Sequence, residues 1–172
     1  MTSRAQKKIS ATRRIVGALT ALFLIAVLME IAVGNVRAFQ VVSRSMEPTL
    51  KVGDCVLSVR ELTTNNLCGK IIAFQPKEPG DALVKRVVAQ DGQTVEIRNG
   101  YLFVEGAREH YSDQEIERAR SAKMKVDKGL FVVGDNRNNS YDSIDHGPIG
   151  RDQVLGVIAF RYWPPDRIGV VR

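Results

Sequence analysis

From residue 38 onwards, short hydrophobic runs alternate with clusters of turn-forming residues. The runs have the length of β-strands and are rich in Val, Ile, Leu and Phe. We predict strands at residues 38–42, 55–59, 71–74, 83–88, 94–97, 101–104, 130–133 and 154–160. Many short strands separated by turns are typical of an antiparallel domain rather than of a parallel α/β sheet. The predicted fold class is therefore mainly β.

The dipeptide Asn99-Gly100 joins two of these runs, and both runs alternate between hydrophobic and polar positions. Asn and Gly tolerate the positive φ angles that the two-residue turns of β-hairpins require. The sequence therefore predicts a hairpin of residues 94–97 and 101–104.

One stretch departs from the β pattern. Residues 112–115 (Ser-Asp-Gln-Glu) fit a capping box, and the residues from there to Lys125 are charged and favour helix. The hydrophobic positions of this stretch form only a thin stripe: Ile116, Ala119 and Met124. We therefore predict a short helix in a surface excursion, a solvated flap rather than a partner-binding helix.

A single hydrophobic segment is too long for a strand. Residues 15–33 contain no charged residue except Glu30. At about 1.5 Å per residue, a helix of this length approaches the thickness of a bilayer. The alternative is a cleaved secretory signal, since residues 36–38 (Val-Arg-Ala) resemble a cleavage site. The run is longer than the roughly 7–15 residues usual in a signal, and Arg37 fits such a site poorly, so a retained anchor is favoured.

Composition and charge agree with this organisation. The chain has 172 residues, of which 44% are hydrophobic and 26% charged, as in a globular protein. Its net charge is +6, but no acidic residue precedes Glu30. The basic residues that precede the hydrophobic segment are Arg4, Lys7, Lys8, Arg13 and Arg14. They predict a cytoplasmic tail at residues 1–14, an anchor at 15–34 and an exported domain at 35–172. We expect no nucleic-acid partner, because no binding motif accompanies the charge.

The cysteines and histidines do not form a metal-binding pattern. Cys55 and Cys68 are the two cysteines, and His110 and His146 are far apart in the sequence. We therefore expect no metal and no cofactor. Both cysteines lie in the part expected to be exported, where disulfides can form. Whether they pair with each other is left open by the sequence.

Ser45 and Lys85 are the candidate reactive pair. A serine hydroxyl needs a positioned base, and neither histidine has a companion motif, so a neutral lysine amine is the candidate base. Burial among hydrophobic neighbours lowers the pKa of such an amine. Lys85 shares a predicted strand face with Leu83 and Val87. A Lys-Arg pair in a strand is usually solvated, and a Ser-x-Ser sequence is common. Neither feature alone indicates a reactive group, so the prediction depends on the presence of both Ser45 and Lys85.

Three blocks of the sequence resemble the motifs of type I signal peptidases, the membrane-bound Ser/Lys endopeptidases that remove signal peptides from exported proteins. Residues 43–49 (Ser-Arg-Ser-Met-Glu-Pro-Thr) are similar to their nucleophile motif, and residues 81–88 to their lysine motif. Residues 134–143 (Gly-Asp-Asn-Arg-Asn-Asn-Ser-Tyr-Asp-Ser) match the third signature, which is long and specific. The resemblance extends from about residue 39 to residue 163, and the order of the blocks and the anchor agree with it.

The resemblance implies the roles of the reactive groups. Ser45 is expected to be the nucleophile and Lys85 the general base, which later returns the proton to the leaving amine. The backbone N–H of Ser45 and the hydroxyl of Ser43 are expected to form the oxyanion hole. Exported preproteins with signal peptides are the expected substrates, cleaved after small residues in an Ala-x-Ala pattern. We expect the protein to be monomeric and associated with a cell or thylakoid membrane.

The resemblance also implies supporting and substrate-binding residues. Ser140 is expected to hydrogen-bond and orient the Lys85 amine, and Asp142 to pair with Arg86. The residues expected to line shallow substrate pockets are Val41, Met46, Leu50 and Val84. The substrate is expected to lie extended along strand edges, with main-chain hydrogen bonds.

The sequence departs from the family pattern at several positions. Arg44 stands where the family often has a small residue, Ile144 replaces a frequent arginine, and residues 68–70 (Cys-Gly-Lys) replace Arg-Gly-Asp. We expect activity to remain, with altered rate and specificity. The end of the matching region, residues 161–165 (Arg-Tyr-Trp-Pro-Pro), is similar to members from photosynthetic bacteria and plastids.

Three alternatives remain from the sequence. The first is a Ser/Lys autoprotease of the repressor-cleavage type, which the predicted anchor disfavours. The second is a peptidase of the same superfamily that is dedicated to pilins or conjugation. The third is an inactive, membrane-tethered β-domain that binds exported peptides, which the complete set of Ser45, Lys85 and Ser140 disfavours.

Overall fold

The computed structural model describes residues 2–60, 66–117 and 119–172, and the chain divides into two units, one ending at Val36 and one spanning Arg37–Arg172. The first unit contains the helix α1, Thr2–Ala32. Within it, Thr12–Glu30 is long and apolar enough to cross a membrane, with a mean hydropathy of 1.8. The helix begins well before the predicted anchor and includes most of the basic segment.

The second unit is built from two antiparallel sheets. The strands are β1 (Val36–Gln40), β2 (Cys55–Val59), β3 (Ile71–Phe74), β4 (Leu83–Gln90), β5 (Thr94–Arg98), β6 (Tyr101–Val104), β7 (Ala107–Arg108), β8 (Ala122–Lys125), β9 (Leu130–Val133), β10 (Val154–Trp163) and β11 (Gly169–Val170). The large sheet has the order β1-β2-β10-β3-β4-β9, with β11 paired to β10. The small sheet has the order β7-β6-β5-β8. A short helix, α2 (Ser143–His146), follows β9.

The predicted fold class is confirmed: the domain is mainly antiparallel β. Four predicted strands have the observed bounds of β2, β3, β6 and β9, and the others differ by a few residues at their ends. The hairpin is confirmed as well, since β5 and β6 are paired with Arg98 opposite Tyr101. Asn99 and Gly100 have φ angles of 49° and 75°, as expected for this turn.

The helix predicted after residue 112 is wrong. The described residues between Tyr111 and Ala122 contain no helix, and Ala122–Lys125 form β8, which pairs with β5. The backbone of this stretch is satisfied by the rest of the domain instead of by helical bonds. The N–H of Ile116 donates to the carbonyl of Gly100 at 2.7 Å, and the N–H of Glu117 donates to Asn138 at 3.0 Å. Ile116 is buried in the core, and this long-range packing outweighs the local capping signal.

Strand β4 positions the candidate site because it is buried on both faces. It lies between β3 and β9, and its residues from Lys85 to Ala89 are all buried. One hydrophobic cluster lies on the face that carries Val87 and Ile72, and another contains Ile71 with Met46. A third cluster joins β4 and β9 to the small sheet. Any charged side chain on this strand therefore needs a partner inside the protein.

Candidate active site

Ser45 and Lys85 are in direct contact. The Nζ of Lys85 donates to the Oγ of Ser45 at 2.8 Å, and the two residues are only 4% and 6% exposed. Lys85 projects from β4, whereas Ser45 lies in the turn that follows β1. Within that turn the N–H of Leu50 donates to the carbonyl of Met46 at 2.8 Å, which helps to fix the local backbone. The fold thus brings together the two residues that the sequence predicted as a reactive pair.

The environment of Lys85 shifts the amine towards its neutral form. Burial lowers the pKa of Lys85 below its ordinary value, and the charge of Asp142 opposes this by raising the pKa. Desolvation is the larger of the two effects, because the amine lies inside the domain. The amine also donates to the carbonyl of Val84 at 3.3 Å. A lysine of lowered pKa in contact with a hydroxyl can accept the proton of that hydroxyl.

Ser43 lies on the solvent side of this pair. Its Oγ is 3.2 Å from the Oγ of Ser45, and the residue is exposed. A hydroxyl at this position is within reach of the oxyanion that attack by Ser45 produces.

Ser140 does not make the expected hydrogen bond to the Lys85 amine. Its Oγ is buried without a hydrogen-bond partner among the described residues. It packs instead against Gly134, where an added Cβ would collide with both the Ser140 hydroxyl and the carbonyl oxygen of Ser45. The amine uses Ser45 and the Val84 carbonyl, so the prediction for Ser140 is corrected for this structure.

The expected pair between Asp142 and Arg86 is also corrected. Arg86 is bound by Asp135, with Nε to Oδ1 and Nη2 to Oδ2 each at 2.8 Å. Asp135 also accepts from the hydroxyl of Thr49 at 2.6 Å. Asp142 is instead the N-cap of α2: it accepts from the N–H of Ile144 at 3.1 Å, and its other oxygen accepts from the N–H of Gly134 at 2.9 Å.

Asp135 is a site residue that the sequence reasoning missed. It was present in the third motif, but no role was assigned to it. The available signal was its position in that motif together with Arg86 in a hydrophobic strand, because a buried arginine needs a carboxylate. Which aspartate binds Arg86 depends on how the chain folds, since Asp135 and Asp142 both belong to the third motif.

The four predicted pocket residues belong to one hydrophobic cluster with Ile71, Ala73 and Ile158. Leu50 and Met46 are 0% and 1% exposed, so they support the core and offer almost no surface to a substrate. This corrects the prediction for both residues. Val84 is half-buried and Val41 is 7% exposed, and both remain predicted substrate contacts.

The residues that depart from the family pattern lie as follows. The Arg44 side chain is 69% exposed and lies 3.6 Å from Glu47, so its charge is held in solvent at the rim. Ile144 packs against the cluster that joins the two sheets.

Cys55 and Cys68 are free thiols, so the structure contains no bridge between them.

A buried serine hydroxyl in contact with a buried lysine amine, on an antiparallel β-domain, is the arrangement expected of a serine hydrolase that uses a lysine base. The family model of signal peptidase, peptidase S26, matches residues 12–163. The chain therefore belongs to the signal peptidase family, and the resemblance inferred from its motifs is confirmed.

Relatives of the chain come from plastids and bacteria. It is 36% identical over 141 residues to thylakoidal processing peptidase 1, chloroplastic, from Arabidopsis thaliana, covering 73% of this chain and 42% of that protein. It is 36% identical over 140 residues to probable signal peptidase I-1 from Synechocystis, covering 74% and 71%. A crystal structure of a signal peptidase I from Enterococcus faecalis has a TM-score of 0.47 and 26% identity, covering 56% of this chain and 98% of that chain. The chain thus spans less than half of its Arabidopsis relative.

Proposed function

We propose that this protein removes signal peptides from exported preproteins, with Ser45 as the nucleophile and Lys85 as the general base. The observation that carries the proposal is the 2.8 Å contact between the Lys85 amine and the Ser45 hydroxyl inside the domain. The lowered pKa of Lys85 supports it, because the base must be neutral to accept a proton.

In the first half of the proposed reaction, the neutral Lys85 amine takes the proton of Ser45 as Oγ attacks the scissile carbonyl. The oxyanion is stabilised by the Ser45 N–H and the Ser43 hydroxyl, whose Oγ is 3.2 Å from that of Ser45. One such donor is typically worth about 3–4 kcal/mol. Lys85 then gives the proton to the leaving amine, and the C–N bond breaks to leave an acyl-enzyme ester.

In the second half, a water molecule transfers its proton to Lys85 and attacks the ester. Collapse of the second tetrahedral intermediate releases the carboxylate product, and Lys85 returns the proton to Ser45. The reaction requires no metal or cofactor.

The strand pairing supports binding of an extended substrate beside Lys85. Strand β9 pairs with β4 only from Arg86 onwards, so in the described part of the chain residues 83–84 have a partner strand only on the β3 side. A peptide can add to this free edge through main-chain hydrogen bonds. Val84 is half-buried and Val41 is 7% exposed, and both are proposed to contact the small substrate residues of an Ala-x-Ala site.

The membrane assignment also belongs to the proposal. The apolar stretch Thr12–Glu30 is proposed to anchor the protein as a single span at residues 15–34, with the tail of residues 1–14 in the cytoplasm and the domain of residues 35–172 on the exported side. A membrane-held enzyme suits a substrate whose signal peptide is itself hydrophobic.

The test is conversion of a preprotein to its mature form by the full chain purified in detergent. We expect Ser45→Ala and Lys85→Ala to abolish cleavage of an Ala-x-Ala preprotein, and replacement of either substrate alanine by a large residue to block it in the wild type. Undiminished cleavage by either enzyme variant would exclude the proposed mechanism. Absence of cleavage by the wild type, combined with peptide binding, would favour an inactive binding domain.

A further inference from the structure

Two arginines are buried near the candidate site, and side chains of one short segment contact both. Arg86 and Arg137 are only 3% and 1% exposed. Glu109 forms an ion pair with Arg137, and the ring of Tyr111 lies 4.6 Å from the guanidinium carbon of Arg86. Residues 109–111 directly follow β7 of the small sheet, and we call them the bracing segment.

The first arginine connects the bracing segment to the backbone of the nucleophile. Arg137 donates to the carbonyl of Gly134 at 3.1 Å, within the loop that carries the third motif. In the same loop, the N–H of Asn136 donates to the carbonyl of Ser45 at 3.0 Å. The Asn136 side chain donates to the carbonyl of Arg44 at 3.2 Å. The conformation of this loop therefore sets the position of the Ser45 main chain.

One further contact holds the same loop from the small-sheet side. Gln114, a few residues beyond the bracing segment, accepts a hydrogen bond from the N–H of Arg137 at 2.7 Å. Burial lowers the pKa of Arg137, and the charge of Glu109 raises it more than that of any other neighbour. Glu109 is thus the principal partner of a guanidinium that has almost no access to water.

The second arginine connects the bracing segment to the base. Arg86 follows Lys85 directly in β4, and Asp135 binds it in a bidentate manner. Tyr111 covers this guanidinium, and Gly69 makes room for the ring, since an added Cβ there would overlap the Tyr111 hydroxyl. Arg86 also donates to the Gly69 carbonyl at 2.9 Å. The ring of Tyr111, a residue that is 38% exposed, therefore lies over a guanidinium that Asp135 and Gly69 also contact.

We propose that Glu109 and Tyr111 are positioning residues for the peptidase reaction, acting through Arg137 on Ser45 and through Arg86 on Lys85. This inference rests on the proposed function of that pair. The small sheet contains no predicted site residue. Through the bracing segment that follows β7, it holds the nucleophile and the base in their relative position. Displacement of reacting groups by about 1 Å costs on the order of a hundredfold in rate, so such bracing affects turnover.

The small sheet offers matched controls in an exposed setting. Arg108 lies 3.6 Å from the carboxylate of Asp113 and 4.0 Å from the ring of Tyr101. Asp113→Asn and Tyr101→Leu therefore remove the same chemical contacts from an arginine that does not touch the site. Glu109→Gln and Tyr111→Leu are the test variants, and Tyr111→Phe keeps the ring that covers Arg86.

The experiment measures kcat and KM for preprotein cleavage by the full chain in detergent, well below the melting temperature of every variant. We expect Glu109→Gln and Tyr111→Leu to lower kcat by about 10–100-fold with KM changed less than about threefold. Tyr111→Phe should restore kcat to within about threefold of wild type, and both controls should stay within about twofold. Equal losses in test and control variants, or losses that follow melting temperature alone, would overturn the inference.

A second measurement does not depend on catalysis. Hydrogen exchange of the Asn136 amide reports its bond to the Ser45 carbonyl. We expect faster exchange at Asn136 in Glu109→Gln and no change in Asp113→Asn; unchanged exchange in both would contradict the coupling. If Glu109→Gln does not fold, Gln114→Ala replaces it, because Gln114 is exposed and holds the same loop.

The two proposals fail in different ways. If Ser45→Ala abolishes cleavage while the Glu109 and Tyr111 variants keep the wild-type kcat, the bracing inference is wrong and the proposed function stands. If Ser45→Ala still cleaves, the proposed function is wrong, and exchange at Asn136 continues to test whether Glu109 holds the loop.

Discussion

Lys85 and Arg86 are consecutive in β4, yet each is buried against a different partner: Lys85 donates to Ser45 at 2.8 Å, and Arg86 is bound by Asp135 at 2.8 Å. Strand alternation directs their side chains to opposite faces. One face supplies a desolvated amine, and the other fixes the strand by a bidentate ion pair. The position of the proposed base therefore depends on an ion pair on the other face of its strand.

The acidic limb of the dependence of kcat on pH is expected to report the ionisation of Lys85. The amine is active only when neutral, so kcat should rise with pH through the lowered pKa of Lys85. Asp142 raises that pKa, so Asp142→Asn should move the limb to lower pH. The measurement is kcat against pH for both proteins. A limb that stays in place or moves to higher pH would show that Asp142 does not act on Lys85 by charge.

Asp135→Asn is expected to destabilise the domain strongly. It leaves the buried Arg86 without its bidentate partner, and the loss for a broken buried pair is about 3–5 kcal/mol. Glu96→Gln is the control, because the Arg98–Glu96 pair is 49% and 26% exposed. Its cost should be less than about 1 kcal/mol. Urea unfolding measures the free energy of unfolding of both variants. Comparable losses for Asp135→Asn and Glu96→Gln would mean that Arg86 binds another partner.

Ser140→Ala is expected to leave the stability of the domain unchanged or slightly higher. The Ser140 hydroxyl is buried without a partner, and its removal relieves a desolvated group. Thermal unfolding of the variant and the wild type provides the comparison. A loss above about 1 kcal/mol would indicate that the hydroxyl is hydrogen-bonded in solution, as the family resemblance predicted.

Gly100→Ala is expected to cost more stability than Gly92→Ala. Both glycines have positive φ angles, of 75° and 85°, so both substitutions introduce backbone strain of about 1 kcal/mol. An added Cβ at Gly100 also collides with the Glu115 side chain, whereas a Cβ at Gly92 meets no atom within 4 Å. Glu115→Ala should therefore reduce the cost of Gly100→Ala to that of Gly92→Ala. Equal losses of stability for Gly100→Ala and Gly92→Ala in a protein that retains Glu115 would argue against the collision.

The elements that could be predicted from the sequence depend on local physics. The bounds of β2, β3, β6 and β9 follow from short hydrophobic runs, and the β5–β6 hairpin follows from the freedom of Asn99 and Gly100 to adopt positive φ angles. The contact between Ser45 and Lys85 was expected from the combination of motifs. These features need only neighbouring residues or a specific signature to be recognised.

What the sequence by itself determined is thus the β-class, the apolar N-terminal segment and the two residues, Ser45 and Lys85, that are proposed to react. The tertiary structure alone decided that Asp135 rather than Asp142 binds Arg86, that Leu50 is core, and that residues 112–117 form no helix. It also placed Glu109 and Tyr111 against two arginines distant in the chain. The physical reason is that a buried charge or backbone group is satisfied by whichever partner the packed fold brings within reach, and sequence separation does not encode that distance.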